Sequence, residues 1–257
     1  MPKHYAISDI HGMYNIYEQV KAMLKPDDVV YFLGDAGDRG YEGFKCIKEI
    51  YNDPQWIYLK GNHEDMMVKA LLETSDSYTG YMDEDNMQIW MHNGGYDTLC
   101  TWAEESNNLE WAKVLDKLPL TAEYTNLKGI TFHMSHAGFT CGRKDQLWGD
   151  ELLWNRRHFF NSWDEEVYPK DICIHGHTPI PYMIESLWEA GIDSDYYKNG
   201  CPEAREYCNG HKINIDNGVF YTGATVLYDL DEMVAIPLKD QKFREGWSWK
   251  THGKIQK

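Results

Sequence analysis

His4-Tyr5-Ala6-Ile7-Ser8-Asp9-Ile10-His11-Gly12 reads as a short β-strand, His4 to Ser8, that stops where a carboxylate and an imidazole begin. Asp9 and His11 stand two apart at the strand end, so both side chains leave one face and can hold one cation. The pattern recurs along the chain. The β-rich runs Val29 to Leu33, Trp56 to Leu59, Thr131 to Ser135 and Ile172 to Ile174 each end at a polar segment of the same kind. Those segments are Gly34-Asp35-Ala36-Gly37-Asp38-Arg39-Gly40, Gly61-Asn62-His63-Glu64, His136-Ala137-Gly138 and His175-Gly176-His177-Thr178-Pro179. Amphipathic stretches lie between them at Ile16 to Leu24, Gly43 to Tyr51, Asp65 to Leu72 and Leu109 to Leu118. Alternating strand and helix predicts an α/β sandwich with its site loops at strand ends.

The rest of the chain frames that prediction. Its 257 residues, 42% hydrophobic and 26% charged, suffice for one catalytic domain, with a surface insertion over 182–212 that includes an amphipathic piece from Met183 to Ala190. The segments Lys212 to Gly218 and Thr225 to Tyr228 read as a β-hairpin closing a second sheet. A net charge of −16 argues against binding to nucleic acid backbones or anionic lipid, although bound cations would reverse the sign inside a cleft. The six cysteines show no zinc-knuckle spacing and are read as reduced thiols. No leader pattern opens the chain and no run approaches the roughly 20 apolar residues of a membrane span, so a cytoplasmic location without a membrane partner is expected. Nothing specifies an oligomeric state.

The donor types decide the chemistry. Asp35 has two carboxylate oxygens and can bridge two cations about 3.5–4 Å apart, the spacing that activates one shared hydroxide. Asn62 adds a neutral carbonyl, which limits the site's negative charge and leaves the metals Lewis acidic. His136 and His177 would complete the second shell through imidazole nitrogens. Each residue alone has a bland reading as a turn, cap or core side chain; their conjunction at five predicted strand ends does not.

These blocks resemble the metal-dependent phosphoprotein phosphatases within the calcineurin-like metallophosphoesterases. Asp-x-His-Gly, Gly-Asp-x-x-Asp-Arg-Gly, Gly-Asn-His-Glu, a His-Ala-Gly and a Gly-His occur here in the family's order, over roughly residues 5 to 228. The resemblance implies a four-layer sandwich of two mixed β-sheets flanked by helices, with a dinuclear metal site. It implies that Asp9, His11 and Asp35 hold one metal, and Asp35, Asn62, His136 and His177 the other. His175 is left structural, and Pro179, which stands where some relatives carry a further histidine ligand, points to the phosphoprotein-phosphatase branch.

A bridging hydroxide would then attack phosphorus in line, with His63 as the acid that protonates the leaving alkoxide. Asp38 is expected to hydrogen-bond the far imidazole nitrogen and keep the ring cationic, and Arg39 to clamp phosphate oxygens with its planar fork. Leu152-Leu153-Trp154-Asn155-Arg156 resembles the family's Leu-Trp-x-Arg stretch, making Arg156, in preference to Arg157, a second clamp. Glu64 is read as orienting the helix after the Asn-His pair.

Trp90-Met91-His92-Asn93-Gly94-Gly95 resembles a loop of bacterial and phage serine/threonine phosphatases that lies near the substrate, which makes Asn93 a substrate-binding candidate. The expected substrates are phosphomonoesters, including serine/threonine and also tyrosine phosphoproteins. The symmetrical diadenosine tetraphosphatase shares every block and is the alternative, with Trp102, Trp148 and Trp188 available to stack a base. An inactive binding scaffold is a remote third reading. Mixed oxygen and nitrogen donors favour two divalent ions, manganese first, with iron, zinc, nickel and cobalt as alternatives.

Overall fold

Residues 1–72, 84–139, 149–156, 171–181 and 201–243 are described by the computed structural model. Strands β1 (His4–Ile7), β2 (Val29–Phe32) and β3 (Trp56–Tyr58) run parallel. The antiparallel pair β9 (Ala224–Asp229) and β10 (Val234–Lys239) extends the β1 edge, giving the order β10-β9-β1-β2-β3. The second sheet comprises β4 (Thr121–Thr125), β5 (Thr131–Ser135), β6 (Ile172–His175), β7 (Arg205–Tyr207) and β8 (Lys212–Asn214). Its order is β4-β5-β6-β8-β7, again with a parallel trio, β5, β6 and β8, in the middle. Two mixed sheets flanked by helices form the sandwich that the strand-helix alternation predicts.

The period of two along each strand sorts its side chains between layers. Ala6, Tyr31 and Leu33 from the first sheet meet Phe132, Met134, Ile174 and Ile213 from the second, forming the core between the sheets. On the opposite face, Tyr5, Ile7, Val30, Phe32, Trp56 and Tyr58 pack against helices α1 (Tyr14–Met23), α2 (Gly43–Asn52) and α3 (Asn62–Leu72). Ile7, Phe32, Phe132 and Ile174 are wholly buried, each worth roughly 1.5–3 kcal/mol of transfer free energy.

Helices α4 (Glu84–His92), α5 (Tyr96–Ala103) and α6 (Asn108–Asp116) follow, then α7 (Gly149–Trp154) and the single turn α8 (Val219–Thr222). Trp102 lies in the helical core with its indole N–H donated to the Asn108 carbonyl at 2.7 Å, so it is a packing residue. Trp148, Trp188 and the Met183 to Ala190 piece lie outside the described residues. Among the described residues no helix is long and apolar enough to cross a membrane.

Two expectations are corrected, and a third falls mostly outside the described residues. The segments read as one hairpin belong to different sheets: β8 pairs with β6 and β7, whereas β9 pairs with β1 and β10. Turn residues Asp216 to Gly218 suggested a hairpin because local sequence carries no signal for which edge a strand joins. The hairpin partner of β9 is β10, in which Pro237 is tolerated on an edge strand. Of the proposed insertion, 182–200 lies outside the described residues, and the remainder supplies β7, an integral edge strand. Finally, α3 begins at Asn62 instead of Asp65, which sets Asn62 and His63 in its first turn.

Candidate active site

Past the ends of β1 and β2 the backbone ladder continues into the loops. Asp9 N–H donates to the Gly34 carbonyl at 3.0 Å, His11 N–H to Asp35 at 3.0 Å and Gly12 N–H to Ala36 at 2.7 Å. Gly176 N–H donates to the His136 carbonyl at 2.9 Å in the second sheet. These bonds hold a sharply curled backbone. Asp9, His11, Asp35, Asp38, Arg39 and His177 all sit at left-handed φ values between 43° and 66°. Asp and His tolerate this region better than most residues, yet each such position stores strain that the surrounding bonds must overcome. Gly176 is required by close approach, because a Cβ there would collide with the Ser8 hydroxyl and the Asp9 carboxylate.

The donor atoms converge in two groups. Asp35 Oδ2 lies 3.6 Å from His11 Nε2 and 3.9 Å from His63 Nε2, while Asp35 Oδ1 lies 3.5 Å from His136 Nε2. The two carboxylate oxygens thus face opposite sides. His11, Asp35 and His63 could hold one cation, and Asp9, Asp35 and His136 another. Asp9 Oδ1 is 4.0 Å from His11 Nε2, and its Oδ2 accepts from the Ser8 hydroxyl and from His177 N–H.

Proton placement tests whether cations fit. His136 Nδ1 donates to the Leu33 carbonyl at 2.7 Å, which leaves a lone pair on Nε2. That lone pair meets another electron-pair donor, Asn62 Oδ1, at 2.8 Å. His177 Nδ1 lies 2.8 Å from the same oxygen. A cation shared among them resolves this confrontation, so the donor set fits a divalent metal. Burial lowers the pKa of His11, His136 and His177, keeping the rings neutral as ligation requires. Asp35 is pushed well above the ordinary carboxylate value by burial and by the charges of Asp9 and Glu64.

Arg39 sits against this centre. Its Nη1 donates to His11 Nε2 at 2.9 Å and Nη2 to His63 Nε2 at 2.8 Å; its Nε reaches the Asn93 carbonyl at 3.3 Å. His63 Nδ1 in turn faces Asp38 Oδ2 at 2.6 Å. The expectation that Asp38 keeps the ring cationic is corrected here. Arg39 is a pure donor, so His63 Nε2 is an acceptor, and burial together with the Arg39 charge lowers the ring's pKa well below normal. Asp38 is raised to about 7 by burial, against the opposing pull of the Trp90 indole, which donates to Asp38 Oδ2 at 2.8 Å.

Asn93 enters through its backbone. Its side-chain amide donates to the Ile89 carbonyl at 2.8 Å, closing the end of α4, and its carbonyl receives Arg39. The expected substrate-binding amide is therefore turned back onto its own helix. Arg156 donates to the His177 carbonyl at 3.3 Å and to Thr178 Oγ1 at 3.2 Å, so it stands beside the second-sheet loop; Arg157 lies outside the described residues. His175 points away, with Nε2 2.6 Å from the Tyr207 hydroxyl and its pKa lowered by burial to about 3.

Glu64 orients more than its helix. Oε2 accepts from Asp35 N–H at 2.9 Å and Gly61 N–H at 2.8 Å, while Oε1 accepts from Ala36 N–H at 2.9 Å and the Tyr58 hydroxyl at 2.8 Å. The bond back to Gly61 is half of a capping box, and the others fix the loop that carries Asp35. Glu64→Gln must turn an amide N–H₂ toward groups that are themselves donors. A loss of about 1.5–3 kcal/mol is expected in urea unfolding, and an unchanged midpoint would show that these bonds carry no stability.

Trp90, Asp216 and Phe220 were the residues that sequence reasoning left without a role at the site. Trp90 was signalled by the Trp-x-x-Asn-Gly-Gly pattern. Asp216 is buried, and its carboxyl is raised well above normal by burial and by Asp9, against the opposing charges of Arg39 and Arg156. It accepts from Gly218 N–H at 2.8 Å. Phe220 has no motif to announce it.

The family model for calcineurin-like phosphoesterases matches residues 3–215. Serine/threonine-protein phosphatase 2 of Escherichia coli K12 is 27% identical over 190 residues, covering 67% of this chain and 78% of that protein. The asymmetrical bis(5'-nucleosyl)-tetraphosphatase PrpE of Oceanobacillus iheyensis is 23% identical over 202 residues, covering 68% and 76%. A solved serine/threonine phosphatase from Saccharomyces cerevisiae superposes with a TM-score of 0.57 at 13% identity, over 96% of this chain and 83% of that one, a likeness of fold.

Proposed function

The chain belongs to the calcineurin-like phosphoesterase family and is a phosphatase-type hydrolase, and from that premise we propose that it cleaves phosphomonoesters, with serine and threonine phosphoproteins as its main substrates and phosphotyrosine as a further one. The observation that carries this reading is the Arg39 fork, held against a convergence of carboxylate, amide and imidazole donors drawn from both sheets. The relative from Escherichia coli supports the choice of substrate.

In this reading Asp9, His11, Asp35, Asn62, His136 and His177 hold two divalent ions, manganese before iron, zinc, nickel or cobalt. Bound there, the ions would supply Lewis acidity and lower the pKa of water. The protein's own groups do the rest. Arg39 and Arg156 bind the phosphoryl oxygens and stabilise the charge that gathers on them in the transition state. A phosphate that engages the Arg39 fork would draw it off His63 Nε2, freeing that nitrogen to take up a proton from solvent and pass it to the leaving oxygen. Asp38 and Trp90 keep the ring aimed from behind. One catalytic domain over 1–257, with 182–212 as an elaboration of it, and a cytoplasmic location belong to the same reading.

A second reading, hydrolysis of dinucleoside tetraphosphates, is favoured by the similarity to the Oceanobacillus enzyme. Initial rates on phosphoserine and phosphotyrosine peptides, measured against diadenosine tetraphosphate with each metal, decide between them. Faster turnover of the peptides is expected. Preferred cleavage of the dinucleotide would replace the first reading, and its products, two ADP or ATP with AMP, would show whether the cut is symmetrical. No turnover of any ester with any metal would indicate a scaffold.

A further inference from the structure

The segment between β8 and β9 crosses from the second sheet to the first at the end of the sandwich that carries the site. It is built as a rigid mount. Gly218 and Gly223, both left-handed at φ 60° and 71°, bound the single turn α8. Asp216 Oδ1 ties down Gly218 N–H at 2.8 Å, Thr222 Oγ1 bonds to the Asn217 carbonyl at 3.0 Å, and Asp240 N–H donates to the Gly223 carbonyl at 2.8 Å. Val219 anchors the turn in the core. What this mount presents is Phe220, half-buried at the site.

The ring face of Phe220 lies 4.7 Å from the Arg39 guanidinium carbon, and the ring meets the His11 imidazole edge-on at 5.4 Å and 82°. Arg39 is held by backbone as well: its N–H donates to the Gly94 carbonyl at 2.9 Å and its Nε to that of Asn93. Those contacts do not use Nη1 and Nη2, the two nitrogens that would turn to a phosphate. A guanidinium whose carbon lies over an aromatic face and whose Nε is tied to a carbonyl can pivot about that nitrogen, which lets its outer N–H groups turn from the histidines toward a phosphate.

We propose that Phe220 is a positioning residue for phosphate binding, whose ring face holds the Arg39 guanidinium in place. The proposal rests on the phosphatase reading above. The test uses the full chain loaded with manganese, with inorganic phosphate titrated by calorimetry and p-nitrophenyl phosphate as substrate. Phe220→Leu is expected to weaken phosphate binding and raise KM by about two- to thirty-fold, the range of a cation–π contact, with a smaller change in kcat and two metal ions retained. Phe220→Tyr and Phe220→Trp, which keep a ring face, should restore the affinity.

Fluorinated phenylalanines at position 220 keep the shape while draining the negative face of the ring, so phosphate affinity should fall stepwise with fluorine number. That series decides the matter even where Phe220→Leu folds poorly. A flat response, or Phe220→Tyr binding as weakly as Phe220→Leu, overturns the assignment while leaving the phosphatase reading intact. A wild-type protein that neither binds phosphate nor turns over any ester overturns both.

Discussion

Asp35→Asn is expected to lower kcat/KM by roughly three orders of magnitude or more, each factor of ten being about 1.4 kcal/mol of barrier, and to reduce the occupancy of both metals. The reason is geometric. One oxygen of Asp35 faces His11 and His63 and the other faces His136, so a single amide oxygen cannot serve both groups. Asn also tolerates the left-handed backbone at this position, φ 62°, so the change reports charge and donor count instead of backbone strain. The apo fold should not suffer, because a buried carboxylate repelled by Asp9 and Glu64 is itself a burden on stability. Thermal unfolding in chelator is therefore expected at or above the wild-type midpoint. Elemental analysis that still finds two ions in the variant would contradict a shared carboxylate.

His63→Asn should divide substrates by their leaving groups. Loss of a general acid costs about 10²–10⁴-fold where the departing oxygen needs a proton, as with alkyl phosphates such as phosphoserine. p-Nitrophenol departs as its anion with little help, so its ester should lose far less. Asp38→Asn is expected to give a weaker version of the same split, since it loosens the ring from behind at the 2.6 Å contact. Equal losses on both substrates would remove His63 from the acid role and make it a binding group.

The parts of this protein that were legible from sequence are those written in local chemistry. β1, β2, β3, β5 and β6 were each marked by a short apolar run ending at Gly or at a ligand-type side chain, and they lie where those runs predict, within a residue or two. The convergence of Asp9, His11, Asp35, Asn62, His136 and His177 was legible because each carries an electron-pair donor at a strand end. Sheet membership was not. β8 and β9 part company between two sheets, and nothing in Asp216-Asn217-Gly218 distinguishes a crossing from a hairpin. Charge state was also hidden: the neutrality of His63 depends on the Arg39 contact and on burial, both of which are tertiary. Phe220 illustrates the same limit, since one more aromatic beside an apolar run reads as core until its ring is found over a guanidinium.

The candidate donors come from both halves of the sandwich: Asp9, His11 and Asp35 from loops of the first sheet with Asn62 from the start of α3, and His136 and His177 from loops of the second. An ion bound among them acts as a rivet across the seam. Its binding free energy would then add to the stability of the folded sandwich, so the unfolding midpoint would rise with metal concentration as well as the activity.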